Sequence, residues 1–176
     1  MTLADRVVFR REDIADRAAV RAVNEAAFGR DDEASLVERL HAGGAVLVSR
    51  VAEVDSRIVG HILFSRMWID TAAASMTAVA LAPMAVLPAH QRQGIGGRLI
   101  RDGLDCIRAQ GEQVVIVLGH PDYYARFGFS SDRARALSSP FPPEAFMALE
   151  LTPGALDDVN GTVRYPRAFE LHGTVR

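Results

Sequence analysis

Residues 81–118 constrain the fold more than any other stretch. They begin LAPMAVLPAHQRQGIGGRLI, continue to Gln110, and end with VVIVL at 114–118. Met76 to Leu87 is apolar and β-rich, so it reads as a long strand that Pro88 breaks. Gln93 to Gln110 has helical periodicity, with Ile95, Leu99, Ile100, Gly103, Leu104, Cys106 and Ile107 on one half of the wheel. Arg98, Arg101, Asp102, Asp105 and Arg108 occupy the other half, as expected for a helix packed on a sheet. Val114 to Leu118 is an unbroken apolar run, the pattern of a strand buried on both faces. A strand–helix–strand order predicts parallel strands joined by a right-handed crossover.

The glycines at the helix entrance carry the chemistry. The first turn of a helix has unpaired N–H groups and a partial positive charge. Gly94, Gly96 and Gly97 remove the side chains that would cover them, so the turn reads as a phosphate cradle rather than only a flexible connection. Pro83 interrupts the preceding strand and is disfavoured in a central position. A break there is expected to splay this strand from its parallel neighbour, opening a cleft beside the cradle. It would also free the backbone around Met84 to Leu87 for an extended, amide-bearing ligand. Gly103, in the apolar stripe of the helix, fits either close helix–sheet packing or no special role.

The remaining chain is read as one α+β domain. Val7 to Arg10 is a short strand. Asp13 caps a helix reaching Phe28, with Ile14, Ala18, Val20, Val23, Ala27 and Phe28 as its apolar positions and Gly29 as its stop. Glu33 to His41 is a second helix. Ala45 to Glu53 and Arg57 to Ile69 form a hairpin about Asp55-Ser56, and Gly60 marks a bulge or a close backbone approach. Pro121 to Phe127 is a short helix, Ser130 to Pro143 a surface loop, and Ala145 to Leu151 and Thr162 to Tyr165 are late strands. Phe127 and Phe129 are expected in the core. No linker divides the chain. The single domain is assigned to residues 1–176, with a core at about 5–151 and a C-terminal extension at 152–176.

Composition removes several classes of function. Arg supplies all 20 basic residues against 22 acidic ones, for a net charge of −2, so a polyanion-binding surface and nucleic-acid partners are not expected. Without Lys, neither a lysine Schiff base nor a Walker A phosphate loop can form. Cys106 is the only cysteine, which rules out an intramolecular disulfide; on the core face of its helix it reads as a small hydrophobe. His41, His61, His90, His120 and His172 are scattered, and no metal site is expected. With no signal-like N-terminus and no long apolar span, the expectation is a cytoplasmic protein without a membrane partner.

Gln91-Arg92-Gln93-Gly94-Ile95-Gly96 resembles the Q/R-x-x-G-x-G/A signature of the GNAT superfamily of N-acetyltransferases, and the order of elements agrees up to about Leu151. The resemblance implies a three-layer fold, with a central mixed twisted β-sheet flanked by helices and splayed parallel strands at the cofactor cleft. It implies acetyl-CoA as acetyl donor. The amides of Gln93, Gly94, Ile95, Gly96, Gly97 and Arg98 would hold its pyrophosphate, and the edges of Met84, Ala85, Val86 and Leu87 its pantetheine. Arg92 and Arg98 would add positive charge. The implied reaction is transfer of the acetyl group to a primary amine, on a small molecule or a protein, by direct attack in a ternary complex. A homodimer is compatible with the family.

Tyr124-Ala125-Arg126-Phe127-Gly128-Phe129 resembles the family's Y-x-x-x-G-F segment. The resemblance makes Tyr124 the acid that protonates the departing thiolate, with Tyr123 the alternative one register away. Leu81 to Leu87 contains no acidic residue, although many family members place a Glu base on this strand. His120, Asp122, Glu25, Asp31, Asp32 and Glu33 remain candidates, as does solvent. A dinucleotide fold fits poorly, because Leu99 occupies the third glycine position. A non-catalytic CoA or acyl-CoA sensor is the alternative function. It would need the glycines but neither Tyr124 nor an acceptor cleft. Arg164, Tyr165 and Arg167 either close the acceptor pocket or pack on the sheet edge.

Overall fold

The computed structural model describes residues 6–170. Residues 1–5 and 171–176, including His172 and the end of the 152–176 extension, lie outside the described residues. The strands are β1 Val7–Arg11, β2 Val46–Val54, β3 Arg57–Thr71, β4 Ser75–Val86, β5 Val114–Leu118, β6 Leu137–Ser138, β7 Phe146–Glu150 and β8 Gly161–Arg164. The helices are α1 Arg17–Phe28, α2 Asp32–Ala42, α3 Ile95–Ala109 and α4 Pro121–Tyr124. One mixed sheet runs in the order β1-β2-β3-β4-β5-β7, with β8 on β3 and β6 on β8. This is an α+β architecture built on one mixed sheet. Two compact units divide the chain, one of residues 1–64 and 83–107, the other of 65–82 and 108–176.

In the first unit, Asp55 and Ser56 both have positive φ, 48° and 64°, the geometry that a two-residue hairpin turn requires. Alternation along β3 then sends Gly60 and Phe64 to one face and His61 to the other. α3 lies on the Gly60 face. A Cβ on Gly60 would lie 3.0 Å from Leu99 Cδ1, and one on Gly103 would lie 2.2 Å from Phe64 Cε2. Both glycines are therefore close-approach positions. α1 covers the opposite face, where Val20, Val23 and Asn24 are buried.

Four apolar expectations for this unit fail. Ile14 is 80% exposed, and Ala18 and Phe28 are exposed as well. Asp13 caps not the α-helix but a separate 3-10 turn, Ile14–Asp16, through a capping box. The α-helix begins at Arg17, with its own phase. Cys106 is half-buried rather than enclosed.

In the second unit, β4 and β5 pair in parallel from Val79↔Val115 to Leu81↔Val117. The ladder stops two residues short of Pro83, which has no N–H to donate. β5 pairs antiparallel with β7 on its other side, from Val114↔Glu150 to Leu118↔Phe146. Met67, Ile69, Ala80, Ile116, Phe146 and Ala148 anchor the core. Phe129 is buried but Phe127 only half so. The expected 130–143 loop folds back instead: Ser130 bridges Ala148, and Leu137–Ser138 pairs with β8. β8 pairs with β3, and the Tyr165 ring lies 4.8 Å from Phe169 and 5.8 Å from Phe141. The late segment therefore packs on the sheet edge.

Candidate active site

β4 ends at Val86, and Pro88–His90 forms one 3-10 turn before the glycine loop. Two glutamines fasten this loop to the strand end. Gln91 Nε2 donates to Val86 O at 2.9 Å, and Gln93 Nε2 to Ala89 O at 3.1 Å. Arg92 and Gly94 take positive φ, 57° and 83°, so the chain reverses twice before the helix. Alternating backbone handedness of this kind turns successive amides toward one concavity.

The Arg98 amide donates to Gly94 O at 3.1 Å. It is thus spent inside the helix, unlike the amides of Ile95, Gly96 and Gly97 ahead of it, which have no helical acceptor. Ile95 turns its side chain into the core, while Gly96 and Gly97 are half-buried. The Arg98 guanidinium stacks over the Phe9 ring, 4.4 Å from its centroid. Arg92 is exposed. His90, which the sequence left unassigned, has its Nδ1 buried without a hydrogen-bond partner beside this loop.

The Leu87 N–H donates to Val59 O at 2.8 Å, toward β3. Because N–H and C=O of one residue point to the same side of a strand, Val86 and Met84 present theirs to the opposite edge, while Ala85 shares the side of Leu87. The Val86 carbonyl already accepts from Gln91. Of the four strand positions named from the sequence, Met84 and the Val86 N–H keep backbone groups free of β3.

Tyr124 sits in the second unit, after β5. Its ring lies edge-on to Phe129 at 5.7 Å and to Tyr123 at 5.1 Å. Gly119 leaves room for it: a Cβ there would be 2.4 Å from Tyr124 Cε2. Burial raises the Tyr124 phenol, with a small contribution from Tyr123, to about 12. Its hydroxyl makes no hydrogen bond to any described residue and is not enclosed. Tyr123 has its ring under the Arg126 guanidinium, 4.5 Å from the centroid. His120 and Asp122 are exposed.

A buried polar cluster in the first unit escaped sequence reasoning. Ser49 Oγ donates to Glu12 Oε2, and His41 Nε2 lies 3.1 Å from the same oxygen. Arg17 Nε stands 2.9 Å from Glu12 Oε1. Ser49 Oγ lies 2.9 Å from His61 Nε2, and Asn24 Nδ2 lies 3.2 Å from His61 Nδ1. Arg17 NH2 lies 3.0 Å from His41 Nδ1. One proton assignment fits every contact: both imidazoles neutral, with their protons on Nε2. Burial pushes the Glu12 carboxyl up, but hydrogen bonds from His41 and Ser49, with the His61 ring 3.6 Å away, outweigh it and hold the group well below the carboxylate range. Burial lowers His61 below its ordinary value despite the nearby carboxylate. No group of three or more His, Cys, Asp or Glu side chains is arranged to hold a metal ion among the described residues, and no helix there is long and apolar enough to cross a membrane.

An amide-lined helix entrance thus follows a strand whose parallel pairing stops short of a proline, the arrangement that the sequence resemblance implies. The Acetyltransferase (GNAT) domain family matches residues 44–131, and the chain belongs to that family. Uncharacterized N-acetyltransferase YjhQ of Escherichia coli K12 is 39% identical over 137 residues, covering 75% of this chain and 76% of the relative. Uncharacterized N-acetyltransferase YhbS of the same strain is 32% identical over 157 residues, covering 88% and 93%. The crystal structure of Escherichia coli YhbS in complex with CoA superposes with a TM-score of 0.87 at 32% identity, covering 96% of this chain and 94% of that one. A GNAT family acetyltransferase from Brucella melitensis in complex with acetyl-CoA gives 0.78 at 37% identity, covering 93% and 97%.

Proposed function

We propose that this GNAT-family enzyme transfers acetyl from acetyl-CoA to the nitrogen of a primary amine by direct attack in a ternary complex. The observation that carries the reading is the row of helix-entrance amides, Ile95, Gly96 and Gly97, ahead of the first helical bond at Arg98. They supply donors and partial positive charge to the pyrophosphate. Gln93 and Gly94 extend the row, and Arg92 adds a full charge at its exposed rim. The Arg98 side chain, stacked on Phe9, braces the helix start against β1. Pantetheine runs along Met84 and Val86, with Ala85 and Leu87 holding that strand to β3. Two structural relatives bind the same cofactor: YhbS was crystallised with CoA and the Brucella protein with acetyl-CoA.

In the reaction the neutral amine attacks the thioester carbon, the C–S bond breaks, and the amine nitrogen loses one proton to solvent. Tyr124 is the acid on the sulfur side. Its phenol, pushed up to about 12, keeps its proton throughout the physiological range. Complete transfer to a thiolate, with a thiol pKa near ~8.5, is uphill by roughly 5 kcal/mol. The phenol therefore acts in the transition state, donating to the sulfur as charge develops, and the proton on product CoA comes finally from water. The strand Leu81 to Leu87 has no carboxylate, so the base is solvent or an exposed group such as His120 or Asp122.

Acetyl-CoA turnover followed by thiol release against a diverse amine panel tests this reading. Acetylated amine appearing with stoichiometric CoA is the expected result. Tight acetyl-CoA binding with no turnover on any amine would instead identify a sensor.

A further inference from the structure

The second unit contains an open cavity of about 420 Å³ that the cofactor assignment does not use. Its floor is apolar and rigid: Ala134, Leu137 and Phe146 all belong to the buried core. Phe141 forms one wall, held edge-on against the Tyr165 ring. The cavity adjoins the strand end that carries the proposed acid. Phe146 is the register partner of Leu118, and the next residue, Gly119, donates its N–H to Ala145 O at 2.9 Å and carries the Tyr124 ring.

The charges around the cavity are not balanced. Asp132 and Arg135 both line it, but they are paired with each other and cancel. Glu144 also lines it and, among the described residues, makes no ion pair or hydrogen bond. An apolar floor with one uncommitted carboxylate selects a compact cation with an apolar body. It disfavours a ligand carrying its own carboxylate, because the only guanidinium available is already engaged. The volume lies at the small end of ligand pockets, about 300–1,000 Å³.

We infer that this cavity is the acceptor site and that it takes a small apolar primary amine without a carboxylate, with Glu144 recognising its ammonium form, solvent taking one ammonium proton before attack, and Phe141 and Phe146 enclosing its body. The inference rests on the acetyltransferase reading above, which it deepens by naming the substrate class.

The test compares wild type with Glu144→Gln and Phe141→Ala, using 2-phenylethylamine and phenylalanine as probes. Steady-state KM is measured with acetyl-CoA, and calorimetric Kd with CoA bound. Wild type should prefer 2-phenylethylamine over phenylalanine by about tenfold or more, because the added carboxylate would be desolvated beside Glu144 without a cationic partner. Glu144→Gln should raise both its KM and its Kd by a similar factor, and Phe141→Ala should weaken it further, while CoA affinity stays at the wild-type value. Turnover of amines with KM and Kd indifferent to both substitutions, or acetylation of a lysine-bearing peptide in preference to 2-phenylethylamine, would overturn the cavity assignment and leave acetyl transfer standing. Glu144-sensitive binding without turnover would uphold the cavity and overturn acetyl transfer. Absence of both would overturn both.

Discussion

The Tyr124 ring lies against the bare Cα of Gly119, so close that a Cβ there would stand 2.4 Å from Cε2 and 2.9 Å from Cδ2. Any side chain at 119 must displace the ring or the strand end. Because Phe129 and Tyr123 hold the ring from two sides, the displacement carries the hydroxyl with it.

Gly119→Ala should therefore reproduce the defect of Tyr124→Phe. Both should lower kcat by about a hundredfold to a thousandfold, the range of one transition-state donor, with little change in acetyl-CoA affinity. Steady-state kinetics beside cofactor titration checks this. Equal turnover in Tyr124→Phe would remove the acid role, and full activity in Gly119→Ala would show that the ring is free to move.

Gly103→Ala sets two effects of opposite sign against each other. Alanine gains about 1 kcal/mol of helix propensity over glycine. The new methyl would meet Phe64 Cε2 at 2.2 Å and Cζ at 2.8 Å, in a fully buried ring, and overpacking of that kind costs about 1–3 kcal/mol. The clash should win, lowering Tm by several degrees in thermal melts. A raised Tm would mean that Phe64 yields cheaply.

The Glu12 cluster makes stability depend on pH in two windows. His61 is fully buried, and burial holds its pKa below the unfolded value of about 6.5. Its contribution is complete above that value and is lost as pH falls, because only the unfolded chain takes up the proton, at no more than about 1.4 kcal/mol per pH unit. Glu12, held low in the folded state, contributes fully above about pH 4.3 and loses that contribution on further acidification. Denaturant melts carried from pH 7.5 down to about 3.5 should show wild type weakening between about pH 6.5 and 5.0 and His61→Gln changing less. Glu12→Gln should flatten the profile below pH 4.5. Parallel profiles for wild type and His61→Gln would mean that the imidazole is not held neutral.

The glycine loop, α3 and β5 were legible because their signals are local: three glycines in four residues, one helical stripe, one unbroken apolar run. The amides that matter were less so. Nothing in the hexapeptide shows that Arg98 N–H is used by Gly94 O, or Leu87 N–H by Val59 O; those bonds follow from where the helix starts and which way the strand edge faces. The Glu12 cluster gave no signal at all, since Glu12, His41, Ser49 and His61 come from four segments that only the folded sheet and helices assemble. Gly119 carries no sequence signal, because its need to lack a Cβ comes from where the Tyr124 ring folds back. Ile14 misled through phase, being an apolar residue of a capped turn rather than of the helix that follows.

Direct titration of acetyl-CoA into wild type and Gly96→Asp tests the central claim, that helix-entrance amides hold the pyrophosphate. An aspartate there brings a charge and a side chain to the open amides of the first turn. The account predicts saturable binding to wild type and an affinity at least about thirtyfold weaker in the variant, which is some 2 kcal/mol of lost anion stabilisation, with Tm within a few degrees of wild type. Equal affinity in the two proteins would contradict it.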